Sequence, residues 1–113
     1  MAATFQTRDG AGVVVLTGAL TAAGVDSFRE QFTSWWQSQP GLRNVVVDLA
    51  GVDFLDSSGL GTLIALLKRV SERGGDLKIA GLQKKVRMVF EITRAFKIFE
   101  IFDNADEAVK ACG

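Results

Sequence analysis

Val45-Val46-Val47-Asp48-Leu49 is a nearly unbroken run of β-branched and aliphatic residues. A strand of that kind is apolar on both faces and must be covered on both, which places it inside a sheet flanked by helices. The neighbouring sequence supplies the helices. Before the run, Val25, Phe28, Phe32, Trp35 and Trp36 recur at helical spacing until Gln39-Pro40-Gly41 stops them. After it, Leu60, Leu63, Ile64, Leu67 and Val70 form a second stripe, closed by Gly74-Gly75. Adjacent helical residues point about 100° apart, so of Trp35 and Trp36 one belongs to the core and the other to its margin.

The remaining segments extend the pattern. Residues 4–8 and 13–17 read as two short strands joined by the turn Asp9-Gly10-Ala11-Gly12. Residues 18–24 are a connection of small residues, and residues 50–59 a loop. Residues 77–80 form a fourth strand. Val86, Val89, Phe90 and Thr93 mark a third helix, 97–102 a fifth strand and 103–111 a last helix. The order is β-β-α-β-α-β-α-β-α, which predicts an α/β fold with a mixed, mostly parallel sheet opened by an antiparallel hairpin. A chain of 113 residues leaves room for one domain, expected to span 1–113.

Composition excludes several functions. The chain has no histidine, so a Ser-His-Asp triad and an ordinary zinc or haem site are ruled out. Its one cysteine, Cys112, cannot form an internal disulfide and is expected at a frayed end, which fits a reducing cytosol. Thirteen bases balance thirteen acids, against the basic surface that direct nucleic-acid binding needs. No signal-peptide segment is visible at the start, and the apolar stretch at 60–67 falls far short of the roughly 20 residues of a membrane span. The expectation is a cytoplasmic protein without cofactor, metal or membrane. Charge is nonetheless divided, with six acids and three bases in residues 1–60, then seven acids and ten bases in 61–113. Lys68, Arg69, Arg73, Lys78, Lys84, Lys85 and Arg87 fall close together, and are expected on the solvated faces of two helices.

The densest polar group is Asp53, Asp56, Ser57 and Ser58, between the buried strand and the second helix. Asp56 or Ser57 suits the helix N-cap. Gly59 and Gly61 then fall in the first turn, where each costs up to about 1 kcal/mol of helix propensity relative to Ala. They are expected to leave a bare surface beside the serines that another molecule can approach. Dinucleotide binding fails because the tight turn and third glycine are missing. A serine nucleophile lacks a base. A metal site of Asp48, Asp53 and Asp56 matches no ligand spacing. A serine that is itself a substrate remains: it would stand at a helix N-terminus, where a phosphate gains roughly 0.3–1 kcal/mol from the macrodipole, while Asp53 and Asp56 repel it.

These residues carry a family resemblance. Val45-Val46-Val47-Asp48-Leu49-x-x-Val52-x-Phe54-Leu55-Asp56-Ser57-Ser58-Gly59-Leu60-Gly61 resembles the signature segment of STAS domains, specifically the stand-alone anti-sigma factor antagonists. Leu16-Thr17-Gly18-Ala19-Leu20, Gly74-Gly75-Asp76-Leu77 and the region around Phe96-Lys97-Ile98-Phe99 resemble further family segments, over nearly the whole chain. The resemblance implies a non-enzymatic STAS domain that works by partner switching. Its partner would be an anti-sigma factor that is also a serine kinase of the histidine-kinase-like ATPase fold. Phosphorylation of Ser57 would release that kinase, and a metal-dependent serine phosphatase would reverse the step. Asp56, Ser58, Gly59, Leu60, Gly61 and Thr21 would lie in the contact surface. The family's Gly-Glu-Leu-Asp is here Gly18-Ala19-Leu20-Thr21, which removes two carboxylates near the acceptor; Ala95 stands near a position that is often glycine. The alternative is a STAS subunit acting as a constitutive scaffold in a signalling or lipid-transport complex.

Overall fold

The hairpin closes more tightly than its composition suggests. Asp9 and Gly10 both take positive φ, 51° and 84°, as a type I′ two-residue turn requires. Strand β1 (Ala2–Arg8) therefore pairs with β2 (Ala11–Leu20) in unbroken antiparallel register from Ala2 opposite Thr17 to Arg8 opposite Ala11. Ala11 and Gly12, expected in the turn, belong to β2. This is a computed structural model and describes residues 1–112; Gly113 lies outside the described residues.

Helix α1 (Val25–Ser38) leads to β3 (Val45–Leu55), α2 (Ser57–Glu72), β4 (Leu77–Ala80), α3 (Lys84–Ile92), β5 (Ile101–Phe102) and α4 (Ala105–Cys112). The five strands form one sheet in the order β1-β2-β3-β4-β5, with every pairing after the first parallel. The Val45 run is thus central. Val45, Val47 and Leu49 enter the main core with the buried faces of α1, α2 and α3, while Val46 enters a smaller core with Ala108 and Val109 of α4. Phe28, Phe32 and Leu63 are fully buried in the main core, each contributing about 1.5–3 kcal/mol relative to exposure. Trp36 is buried. Trp35 is half-buried between Phe5 and Phe32, its ring edge 2.4 Å from where a side-chain carbon on Gly12 would stand. The aromatic pair is packing.

Four expectations are corrected. Strand β3 runs on to Leu55 instead of ending at Leu49, because β2 continues beside it through two register shifts until Leu20 meets Leu55. Small residues such as Gly18, Ala50 and Gly51 made this stretch read as loop. The fifth strand is only two residues, Ile101–Phe102. Arg94 ends α3 in the left-handed region (φ 60°), and Ala95–Lys97 form a single 3-10 turn that buries Phe99 against Phe90. Cys112 is not frayed: it closes α4, half-buried, and its carbonyl accepts a bond from Asn44 Nδ2. Burial pushes its thiol pKa up.

The fourth correction concerns charge. Arg69 donates to Thr33 Oγ1 at 2.6 Å. Arg73 donates to the carbonyls of Trp36, Gln39 and Leu42 and lies 3.7 Å from the Trp36 ring centre. Lys78 is buried and paired with Asp76 and Glu100. Burial alone would lower its pKa, but the bonds to Glu100 and Asp76 outweigh that and raise it. These three bases serve the interior, whereas Lys84, Lys85 and Arg87 are exposed on α3.

Candidate functional site

Parallel strands β2 and β3 finish side by side, so the β2–α1 loop and the start of α2 meet at the same end of the sheet. Asp56 joins them. Its backbone is extended (φ −99°, ψ −176°) and its N–H donates to the Leu20 carbonyl at 3.3 Å. One carboxylate oxygen accepts the Gly59 N–H at 2.8 Å, which caps α2. The other accepts the Ala22 N–H at 3.1 Å, thirty-four residues away in sequence. The Gly59 bond foremost holds the Asp56 carboxyl below its ordinary value; desolvation opposes it, and the Ala22 bond adds a lesser lowering. Ala22 was invisible to sequence reasoning, because it takes part through its backbone alone.

With Asp56 as the cap, Ser57 is the first residue of α2 and is exposed; Ser58 is half-buried. The two glycines beyond them do opposite things. A side-chain carbon on Gly59 would stand 2.3 Å from the Leu20 carbonyl oxygen and 2.9 Å from Leu55 Cδ1. Gly59 therefore lets the helix start press against the end of β2, and it presents no bare surface. Gly61 has nothing within 4 Å of that position and faces solvent. Leu60 is buried in the main core. Thr21 is half-buried, and its carbonyl accepts the N–H groups of Gly24 and Val25 at the start of α1. The outward part of the expected surface thus narrows to Ser57, Ser58 and Gly61, with Thr21 at the neighbouring loop.

The chemistry open to Ser57 is limited. Asp56 is the adjacent carboxylate, but its lowered pKa and two N–H donors make it a poor proton acceptor. Asp48 Oδ1 is occupied by the Ala50 N–H at 3.0 Å, and Asp53 is exposed. Among the described residues, Asp48, Asp53 and Asp56 are not gathered into a metal-holding group. No helix is long and apolar enough to cross a membrane among those residues. The site offers a hydroxyl on a rigid, capped helix start, open on its outer side.

Comparison with known proteins agrees with this architecture. The STAS domain family matches residues 2–108. An anti-sigma-B factor antagonist of Staphylococcus aureus is 32% identical over 87 residues, covering 77% of this chain and 79% of that protein. An anti-sigma F factor antagonist of Paenibacillus polymyxa is 29% identical over 97 residues, 86% and 82% of the two chains. The Bacillus anti-sigma factor antagonist SpoIIAA superposes in its unphosphorylated form with a TM-score of 0.81 at 19% identity, covering 97% of this chain and 95% of that one. The chain therefore belongs to the STAS domain family, among relatives described as anti-sigma factor antagonists.

Proposed function

We propose that this chain is an anti-sigma factor antagonist that binds an anti-sigma factor when unphosphorylated and is released when that factor, acting as a serine kinase, phosphorylates Ser57. A serine phosphatase would restore it. The chain itself is the substrate in this cycle. The observation that carries the reading is the exposed Ser57 hydroxyl on a helix start whose cap is already supplied by Asp56. The names of the relatives support the antagonist function, and SpoIIAA is also known in a phosphorylated form.

Energetics explain how such a switch would act. Phosphate at the first helical residue gains roughly 0.3–1 kcal/mol from the positive helix end. The charge of Asp56, and of Asp53 nearby in the chain, opposes that gain by a similar amount. Because α2 is capped before modification, the phosphate is not needed to order the helix. Its effect falls on the outer surface, where about −1.5 to −2 units of charge appear beside Gly61 and Thr21. A partner seated there would meet both new bulk and new charge.

Incubation with the cognate anti-sigma factor and ATP, followed by mass spectrometry, tests the reading. Phosphate is expected on Ser57. Ser57→Ala should keep binding and lose phosphorylation, and Ser57→Asp should weaken binding by about tenfold or more. Phosphate on another residue, or full binding by Ser57→Asp, would overturn the switch. Stable binding that ignores ATP would favour the constitutive scaffold.

A further inference from the structure

The fifteen residues 84–98 differ from the rest of the chain in two ways. They hold five bases (Lys84, Lys85, Arg87, Arg94 and Lys97) against one acid, Glu91, while the rest of the chain holds eight bases against twelve acids. They also hold Met88, Ile92, Phe96 and Ile98, four of the six large apolar side chains exposed among the described residues. Ile92 is 78% exposed, more than any other large apolar side chain. On α3, Val86 and Phe90 are buried against the sheet at an i, i+4 spacing. Met88 and Ile92, also four apart, stand on the opposite side. The left-handed Arg94 then turns the chain back, and the turn that follows, packed on α3 through Phe99, exposes Phe96 and Ile98.

None of these five bases is engaged by a hydrogen bond or ion pair involving its side chain among the described residues. Of the eight bases outside the segment, Arg8, Arg43, Arg69, Arg73 and Lys78 are engaged, and Arg29, Lys68 and Lys110 are not. The basic charge of this segment is therefore free to meet something outside the molecule. Among these bases Ile92 is left largely uncovered by the isolated chain, and Met88, Phe96 and Ile98 leave about half of their surface uncovered.

We infer that the outer face of α3 and the turn after it is a peripheral docking surface for an anionic lipid bilayer. Apolar side chains would enter the acyl boundary, while Lys and Arg hold their charged ends at the headgroups. Each base near an anionic leaflet adds to the attraction, which is screened by salt. Charge decides the occupant: five unpaired bases against one acid call for a broad anionic surface, and three of the five are lysine, which protein interfaces disfavour even where they take Met, Phe and Arg. The short apolar stretches that exclude a span leave such peripheral contact open. This surface does not depend on the assignment of Ser57.

Co-sedimentation of the full chain with vesicles tests it. Vesicles of equal parts phosphatidylcholine and phosphatidylglycerol should carry the chain down at low salt, and phosphatidylcholine alone should not. Lys84→Glu/Lys85→Glu and Ile92→Ser should each reduce binding by about tenfold, with unchanged far-ultraviolet circular dichroism and urea midpoint because all three positions are exposed. Ser57→Asp should bind vesicles like the wild type, so a failure of the phosphorylation reading leaves this result standing. No sedimentation with anionic vesicles would overturn the inference. So would variants that bind vesicles normally but lose capture of the anti-sigma factor, which would make the face a protein interface.

Discussion

The two ends of α2 are built for different purposes. At the C-terminal end, the Arg73 guanidinium fills a nest of the Trp36, Gln39 and Leu42 carbonyls and stacks on Trp36. Arg43 returns a bond to the Arg73 carbonyl at 2.8 Å. Gly75 lies so close to Arg43 that a side-chain carbon would stand 1.6 Å from its carbonyl oxygen. At the N-terminal end a single carboxylate, Asp56, ties α2 to the β2–α1 loop. Inward, Gly59 is closely packed too, though less tightly than Gly75; outward, Ser57 and Gly61 are exposed. The helix is clamped to the fold at one end. At the other it is fixed on its inner side only, which suits the proposed docking of a partner there.

The largest expected effect is at the clamped end. Gly75→Ala forces a methyl group into the Arg43 backbone, which cannot move aside as a flexible side chain could. The strand β4 that follows has no slack, since its four residues are all buried. We expect a loss of about 3 kcal/mol or more, read from urea unfolding. Near-native stability would show that this end can shift, and the contrast between the two ends would weaken.

Arg73→Met comes next. It keeps most of the aliphatic stem but strips three carbonyls of their charged donor. The Trp36 and Gln39 carbonyls keep the N–H groups of Gln39 and Leu42, so the cost is that of lost charged bonds, about 1.5–3 kcal/mol, and the lost stacking on Trp36 adds to it. The expected result is a lower urea midpoint with unchanged binding of the anti-sigma factor. A change in binding at equal stability would carry function to the wrong end of the helix.

The sequence made the skeleton legible for a physical reason. Residues 45–49, the α1 stripe and the Leu60–Val70 stripe bury large side chains with a clear period, and period is what a sequence displays. Extended segments poor in such side chains were harder. Gly18, Ala50 and Gly51 concealed the continuation of β2 and β3, and Arg94, a non-glycine residue in left-handed backbone, concealed the turn that shortens β5. At the site, the Asp56 cap was readable because its side chain makes the bond. Gly59 was misread, because a glycine that admits another backbone looks the same in sequence as one that exposes a surface. Only the 2.3 Å approach of Leu20 separates it from Gly61.

Acid sharpens the comparison at the N-terminal end. Asp56 has its pKa lowered from 3.8 in the folded chain, so its stabilising bonds are fully present above that value and are lost as pH falls through the lowered one. Asp56→Asn should therefore be less stable than the wild type at neutral pH. The gap between them should close below about pH 4. A gap independent of pH would mean that the carboxylate charge is not what holds the loop at Ala22. In the neutral range, binding of the anti-sigma factor should weaken in Asp56→Asn, because the Thr21 loop loses its tie to α2.

The smallest effect is the most informative about purpose. Gly61→Ala places a methyl group in open space on a helix turn, so nothing in the fold opposes it. Alanine is the better helix former by about 0.8–1 kcal/mol, and the urea midpoint should rise. If the outer side of this turn receives the anti-sigma factor, that gain comes with weaker binding, since the methyl group occupies the space into which the partner fits. A more stable protein that binds less well would show that α2 keeps its glycine for access. A more stable protein that binds equally well would shrink the contact surface to Ser57, Ser58 and the Thr21 loop. In both outcomes Gly61 differs from Gly59, whose substitution strikes the Leu20 carbonyl whatever the partner does.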